Sequence, residues 1–170
     1  MEIEVVNYSP NWPIEFESEK LLLQNKLGPI VDAIHHIGST SVEGLAAKPI
    51  IDIILEAKSL ELLDKSELIF KSLGYEVMGE FGIPGRRYYR KGRDNRTHQI
   101  HAFKTGDKNV HRHLAFRDYM KTHSEVRLEY QNLKIELAKT CNNDIECYCD
   151  GKSDFVKNHE AQALEWIAST

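Results

Sequence analysis

The sequence has only three cysteines, and they lie close together. Cys141, Cys147 and Cys149 are odd in number and confined to one segment, which is unlike the disulfide framework of a small secreted protein. Cys147 and Cys149 flank a single residue and have no second close pair, so the spacing disfavours a zinc knuckle. We expect ordinary thiols in a loop.

Long apolar runs and a large excess of charge are also missing. No apolar run approaches the roughly 20 residues of a membrane-spanning helix. The N-terminal segment 1–4 contains two glutamates and does not resemble the start of a signal peptide. We therefore expect a cytoplasmic protein without a membrane partner. The net charge of −4 gives no reason to expect nucleic-acid binding driven by overall electrostatics. Walker A, Rossmann and nucleophile-elbow motifs do not occur.

What is present is the composition and patterning of a single domain over residues 1–170, with 41% hydrophobic and 28% charged residues. Acidic and apolar residues alternate over 2–5, which suits a short edge strand. Apolar residues at helical spacing predict a helix over 12–27. Residues 34–37 form a strand candidate, and the β-branched run 49–56 predicts a strand covered on both faces.

The later segments add strands and then helices. Ser59 is a favourable N-cap for a helix that closes at Gly74, and residues 75–78 form another strand candidate. Residues 87–91 and 97–103 are typical of a hairpin. The remaining segments predict helices at 110–120, after a capping box at 122–125, and at 155–167. This order predicts an α+β (α/β-like) fold, in which a mixed β-sheet packs with α-helices and the C-terminal part is helical.

The segment from His36 to Asp52 carries the clearest functional signal. Gly38, Ser39 and Thr40 follow a strand, where a glycine lets the backbone approach an anion and hydroxyls can bind phosphate oxygens. Asp52 lies inside an apolar run, and burying an unpaired carboxylate would cost several kcal/mol. It therefore faces a cleft, binds a metal, or pairs with a cation such as Lys48. A buried salt bridge is the structural alternative, and we favour a functional carboxylate.

Histidines and a basic stretch could complete such a site. Strand alternation places His98 and His101 on opposite faces, so the two need not converge. With His36, His111 and His113, a metal-binding cluster around Asp52 is one interpretation, and polar cleft walls or core histidines are the alternative. In the basic stretch 85–91, one strand face could bind phosphate through charge-assisted hydrogen bonds. The alternative is a solvated hairpin whose tyrosines pack on the sheet. The glycine-rich loop 79–85 could move as a flap, although turn geometry explains it equally well.

These residues resemble the GrpB family, small bacterial proteins of the nucleotidyltransferase-like superfamily. The match covers nearly the whole chain. It includes Trp12, His36-Ile-Gly-Ser-Thr-Ser-Val42, Gly44-Leu-Ala-Ala-Lys-Pro-Ile-Ile-Asp-Ile53, Gly74-Tyr75, Pro84-Gly-Arg86, His98 with His101, and His113-Leu-Ala-Phe-Arg-Asp-Tyr119. The resemblance implies a nucleotidyltransferase-like fold.

The resemblance also implies a pattern of catalytic carboxylates, which this sequence follows in part. In the superfamily a Gly-Ser turn precedes a strand with two carboxylates that are separated by one residue, and a later strand adds a third. They hold divalent metals, usually magnesium, that align a triphosphate. Gly38-Ser39 and Asp52 match, but Ile54 replaces the second carboxylate and the later strand offers Gln99 and His101. One carboxylate with neutral ligands could hold a single metal, and imidazole favours a transition metal over magnesium.

We therefore expect a nucleotidyltransferase-like enzyme or nucleotide-binding protein that takes a small phosphorylated ligand. The expected phosphate-binding residues are Gly38, Ser39, Thr40, Lys48 and Arg86, the expected catalytic residues are Asp52 and His101, and the candidate metal ligands are Asp52, His98 and His101. His98 or His101 would act as ligand or general base. Two alternatives stay open: a catalytically inactive regulatory protein that binds a ligand, and a metal-dependent phosphoester hydrolase.

Overall fold

In the computed structural model, which describes residues 3–170, a five-stranded mixed sheet organises the chain. The strands are β1 (Val31–Ile37), β2 (Ile51–Ala57), β3 (Tyr75–Val77), β4 (Arg87–Lys91) and β5 (His98–Lys104). Their order across the sheet is β1-β2-β5-β4-β3. The pair β2 and β5 is parallel, and the other neighbours are antiparallel.

Six helices pack on this sheet. They are α1 (Asn11–Leu27), α2 (Leu60–Asp64), α3 (Glu67–Ser72), α4 (Lys108–Thr122), α5 (Ser124–Thr140) and α6 (Ile145–Ala168). The mixed sheet and the helical C-terminal part confirm the predicted α+β class. Among the described residues, no helix combines the length and the apolar character needed to cross a membrane.

Alternation along β2 assigns its side chains to two different environments. Ile51, Ile53 and Leu55 are buried in a core formed with α1, α2 and α3. Ile54 faces the other way and packs with Phe103 and residues of β1 and α4. Because side chains two residues apart share a face, Asp52 lies on the same side as Ile54. It also lies at the start of the strand, where the sheet ends.

Helices α4, α5 and α6 form a second apolar cluster next to the end of β1. Val42 and Leu45, from the segment after β1, pack there with Tyr119, Tyr130 and Ala163. This packing brings the C-terminal helices against the segment that joins β1 to β2, and it closes one side of a cavity.

Two predicted helix boundaries are wrong for local reasons. Ser59 caps α2 as predicted, since its hydroxyl accepts from the Leu62 N–H at 3.1 Å. The predicted single helix is, however, divided near Ser66, whose hydroxyl donates to the Leu62 carbonyl at 2.9 Å and competes with the helical ladder. The predicted capping box at Thr122 does not form, because Thr122 still belongs to α4 and donates to the Asp118 carbonyl.

The prediction of free thiols in a loop is also wrong. Helix α6 begins at Ile145, ten residues before the predicted start, because the Asp144 side chain caps it by accepting from the Cys147 N–H. Cys147 and Cys149 are therefore helical. Cys147 forms a disulfide with Cys141 at the end of α5, with a Cα separation of 5.6 Å that suits such a bond. Cys149 is free and exposed.

The predicted N-terminal edge strand is reduced to a single β-bridge between Val6 and Ala47. Glu2, which belonged to that prediction, lies outside the described residues.

Candidate functional site

The turn after β1 and the start of β2 come together as the sequence predicts. Gly38 has φ 72° and leads into a short 3₁₀ turn, Ser39–Ser41. Ile37 pairs with Asp52 across the two strands. A Cβ atom on Gly38 would lie 2.9 Å from Asp52 Oδ2, so the absent side chain is what lets the carboxylate lie against the turn.

Asp52 is held by hydrogen-bond donors on β5. Its side chain is 31% exposed, and Oδ1 lies 3.3 Å from His101 Nε2. The Gln99 amide nitrogen lies 3.0 Å from the same oxygen when the amide oxygen is turned to accept from Arg96. Burial pushes the pKa of Asp52 upward, but the His101 hydrogen bond and the charges of Lys152 and Lys48 hold that pKa below its usual value. The carboxylate is therefore ionised at neutral pH.

Arg86 determines which nitrogen of His101 carries the proton. Arg86 Nη1 lies 3.2 Å from His101 Nδ1, and a guanidinium can only donate. Nδ1 is therefore the acceptor, and the proton is on Nε2, facing Asp52. Arg86 is 7% exposed and also donates to the Glu80 and Phe81 carbonyls. The structure thus places Arg86 behind His101, where it anchors the loop 79–85. It does not bring Arg86 to the Gly38 turn, where the sequence suggested that it would supply positive charge.

A cavity of about 250 Å³ opens beside Asp52, between the Gly38 turn and the start of α6. Its polar lining includes Ser39, Thr40, Asp52 and Gln99, and its basic lining is Lys48, Arg96, Lys134 and Lys152. None of these four basic side chains lies within ion-pair distance of an acidic group in residues 3–170. Within the described residues, the cavity therefore combines a single carboxylate with four basic side chains that lack ion-pair partners.

Lys134 is the residue that the sequence patterns did not reveal. It is 2% exposed, and its ammonium group donates to Ser39 Oγ at 2.7 Å and to the Ala46 carbonyl at 2.6 Å. Burial, with the nearby charges of Lys152 and Lys48, lowers the pKa of Lys134 to about 7.

One sequence signal could have indicated this lysine. The buried positions of α5 are Val126, Tyr130 and Lys134, spaced by four residues. A lysine within an apolar helical stripe is unusual, because burying an unpaired ammonium group is costly.

The other three basic residues surround the opposite wall of the cavity. The ammonium groups of Lys48 and Lys152 lie 4.9 and 5.0 Å from the centre of the buried Tyr148 ring, within cation–π range. Burial lowers the pKa of Lys48. Arg96 has a buried Nε without a hydrogen-bond partner in the described structure. Lys48 was predicted for this site, whereas Arg96 and Lys152 were not.

Ser39 and Thr40 use their hydroxyls differently. Thr40 is 2% exposed, and its hydroxyl donates to the Ile50 carbonyl while His36 Nε2 bonds to it at 2.9 Å. The Ser39 oxygen accepts from Lys134, and its hydroxyl lines the cavity. Ser39 is therefore the hydroxyl of the turn that can bind an anion.

The remaining histidines do not gather at Asp52. His98 faces the opposite side of the sheet, where Nε2 lies 3.8 Å from Glu19. His36 stacks on Phe16. His113 stacks beside His101 with ring centres 6.0 Å apart, and burial lowers the pKa of His113 to about 3, so it is neutral.

The predicted metal ligands Asp52, His98 and His101 are consequently not assembled as a set, because His98 is on the wrong face. Within residues 3–170, no group of three or more His, Cys, Asp or Glu side chains is arranged to hold a metal ion. Ile54, at the position of the second superfamily carboxylate, is fully buried against apolar neighbours. The residues present do not fit the carboxylate-bound metals of that superfamily.

A larger cleft of about 530 Å³ lies on the other side of the turn. Arg117 and Lys121 face it, but so do Glu17 and Glu43. Its positive and negative side chains balance, so it lacks the excess of unpaired cations that distinguishes the cavity beside Asp52.

Comparisons with known proteins give one consistent family and fold. A family model described as GrpB protein matches residues 2–162. The chain is 42% identical over 164 residues to the UPF0157 protein YqkA of Bacillus subtilis, across 96% of this chain and 48% of that protein, so it spans about half of that relative.

Two solved structures are similar in fold. The crystal structure of the conserved protein GrpB from Enterococcus faecalis has a TM-score of 0.93 and 40% identity, covering 96% of this chain and 99% of that chain. A cytoplasmic RNA terminal U-transferase has a TM-score of 0.53 and 11% identity, covering 76% of this chain and 40% of that chain. At that identity the second likeness shows the fold alone.

Proposed function

The chain belongs to the GrpB family and has a nucleotidyltransferase-like fold, and we propose that it binds a nucleotide or other phosphorylated ligand in the cavity beside Asp52. The observation that carries this proposal is the group of four basic side chains that have no ion-pair partner among residues 3–170. They line one cavity in a protein whose net charge is −4.

Charge and hydrogen bonding both favour a phosphate group. Cations in a partly enclosed site attract an anion more strongly than they would in open water. A phosphate in the cavity would lie beside the Arg96 guanidinium and the Ser39 hydroxyl, both of which line it. It would also neutralise Lys134, which is buried without a carboxylate partner. Charge-assisted hydrogen bonds of this kind are the stronger ones in proteins.

The nucleotide class rests on the fold. One structure that shares the fold is an RNA terminal U-transferase, so this framework is used elsewhere to handle a nucleotide. We propose binding rather than nucleotidyl transfer for this chain because Ile54 occupies the second carboxylate position. The separation of His98 from Asp52 likewise gives no support to a hydrolase that uses a histidine-bound metal.

Calorimetric titration with pyrophosphate and with ATP, GTP, CTP and UTP tests the proposal. We expect saturable binding that Lys152→Met weakens at least about tenfold, since one charge-assisted contact is worth about 1.5–3 kcal/mol. Lys157→Met is the matched control, because Lys157 is exposed on the same helix outside the cavity.

Asp52→Asn provides a second arm of the test. We expect this substitution to change the dissociation constant of the probe without unfolding the protein. The Asp52 side chain is partly exposed, and asparagine has the same size as aspartate. If no probe binds to the parent protein, or if Lys152→Met and Lys157→Met bind equally well, the cavity is not a phosphate site.

A further inference from the structure

We infer that this cavity binds phosphate through its lysines without a bridging divalent metal, and that Asp52 acts as a hydrogen-bond acceptor rather than a metal ligand. The inference rests on the proposed binding of a phosphorylated ligand. It concerns what neutralises that ligand and what the single carboxylate does.

The groups around Asp52 present hydrogens where a metal needs lone pairs. His101 directs Nε2–H at Oδ1, and the Gln99 amide directs N–H at the same oxygen. A divalent cation requires several oxygen or imidazole lone pairs that converge on one point. Because His101 and Gln99 both donate to Asp52, neither offers a lone pair as a second ligand for a metal.

Arg86 determines which ring nitrogen of His101 carries the proton. If the proton moved to Nδ1, it would face Arg86 Nη1, another donor, across 3.2 Å. Arg86 cannot turn away easily, because two carbonyls of the loop 79–85 hold its other nitrogens. Arg86 is thus a positioning residue. It keeps the proton on His101 Nε2, so that this nitrogen has no lone pair for a metal.

Positive charge is already present where a metal would supply it. Lys48 and Lys152 lie close enough to lower the pKa of Asp52, and Lys134 is bonded to Ser39 on the turn. These ammonium groups repel a divalent cation and attract a phosphate chain. In residues 3–170, Asp52 Oδ2 accepts no hydrogen bond and lies beside Gly38. This oxygen is free to accept a hydrogen bond from the ligand.

Titration with sodium pyrophosphate, in EDTA and in excess Mg²⁺, tests the inference on the full chain. We expect the dissociation constant in EDTA to equal or fall below that in Mg²⁺, because free Mg²⁺ competes with the lysines for the phosphate. Binding at least about tenfold tighter in Mg²⁺ would overturn the metal-free inference and leave the proposed function intact. Binding in neither solution would overturn both.

Two measurements need no phosphate ligand. Nitrogen-15 NMR of the histidine side chains should show His101 as the neutral tautomer with the proton on Nε2, and a proton on Nδ1 would contradict the inference. Mn²⁺ titrated into the protein alone should give no saturable binding that Asp52→Asn removes. Such binding would identify Asp52 as a metal ligand and overturn the inference.

Discussion

At the scale of single residues, the candidate site depends on the close approach of Gly38 and Asp52. Gly38 has a positive φ, and its Cα lies against the carboxylate that faces the cavity. The glycine is needed for two separate reasons: the backbone conformation and the space that a side chain would fill. Comparison with another glycine can separate the two.

Gly38→Ala is expected to lower both stability and phosphate binding. Gly38 lies at φ 72° and ψ −175°, a region that essentially only glycine adopts, so alanine there costs roughly 1–3 kcal/mol. The new Cβ would also lie 2.9 Å from Asp52 Oδ2 and displace the carboxylate. Gly44→Ala is the matched control, because Gly44 also has positive φ but a Cβ atom added there would meet nothing within 4 Å. Urea unfolding should show a loss for both variants, with pyrophosphate affinity reduced in Gly38→Ala alone. Equal pyrophosphate affinities of the two variants would contradict a role for the close approach of Gly38 and Asp52 in binding.

Lys134 makes phosphate binding sensitive to pH near neutrality. With its pKa lowered to about 7, Lys134 is charged below pH 7 and attracts an anion, whereas above pH 7 it is neutral. Affinity should therefore fall as pH rises, by about tenfold between pH 6 and pH 8 if only the protonated form binds.

Sulfate suits this measurement because its charge is constant over that pH range. We expect Lys134→Met to bind sulfate weakly and without this pH dependence. Lys139→Met, on the exposed side of the same helix, should keep the parent profile. A parent affinity that does not change between pH 6 and pH 8 would show that Lys134 does not contact the anion.

The same residues show what a sequence can and cannot reveal about a site. Gly38, Ser39 and Asp52 were predictable, because a turn after a strand and a carboxylate in an apolar run are local patterns. Lys134 was not, because its contact with Ser39 joins positions 95 residues apart. Arg86 was predicted to bind phosphate, and only the tertiary structure shows that its guanidinium bonds to His101 and to the Glu80 and Phe81 carbonyls.

At the scale of secondary structure elements, the start of α6 forms one wall of the cavity and is covalently tied to α5. Cys141 and Cys147 are six residues apart in sequence and close the connection between the helices. Tyr148 packs beside Cys141, and Lys152 follows one turn later. The disulfide therefore restrains the segment that carries the basic wall.

Breaking this disulfide should destabilise the protein modestly. A loop this short is worth about 2 kcal/mol in the chain-entropy estimate, or a fall of about 5 °C in melting temperature for a chain of this size. We expect that fall for Cys141→Ser with Cys147→Ser, and none for Cys149→Ser, which leaves the disulfide intact. Thiol titration of the unfolded, unreduced protein should find Cys149 alone, and reactive Cys141 and Cys147 would refute the pairing.

On the other face of the sheet, Glu19 of α1 contacts residues of three strands. It is 7% exposed, accepts from Tyr75 at 2.8 Å and pairs with Lys91 at 2.7 Å, while His98 lies nearby. This contact explains why His98 faces away from Asp52: it belongs to a polar cluster that fixes the helix.

Glu19→Gln should lower the free energy of unfolding by about 2–4 kcal/mol, because it leaves Lys91 without its partner in a mostly buried position. Glu17→Gln, on the exposed side of the same helix, should change stability by less than about 0.5 kcal/mol. Chemical unfolding at pH 7 checks both variants. Equal effects would mean that the buried pair adds no stability.

Element types were easier to predict than element ends. The apolar periodicity of α1 and the β-branched run of β2 gave the right structures, because burial and local propensity agree there. The break at Ser66 and the early start of α6 at Ile145 depend on single side-chain hydrogen bonds. Hydrophobic periodicity carries no information about such bonds.

At the scale of the whole molecule, the cavity lies between two structural layers. The sheet and its turn contribute Ser39, Thr40 and Asp52, whereas α5 and α6 contribute Lys134 and Lys152. A bound anion would contact both layers. Such a ligand should stabilise the folded protein by about 2.7 kcal/mol at a concentration one hundred times its dissociation constant.

Hydrogen exchange can show whether both layers respond to one anion. With saturating pyrophosphate, we expect slower amide exchange in three separate segments: residues 38–52, 96–101 and 145–152. Residues 60–72 serve as the internal control, because α2 and α3 pack on the opposite face of the sheet, away from the cavity. Protection confined to 145–152 would place the anion on α6 alone. Protection of all three segments requires that the ligand joins the sheet to the C-terminal helices, because these segments meet at this cavity and are far apart in the chain.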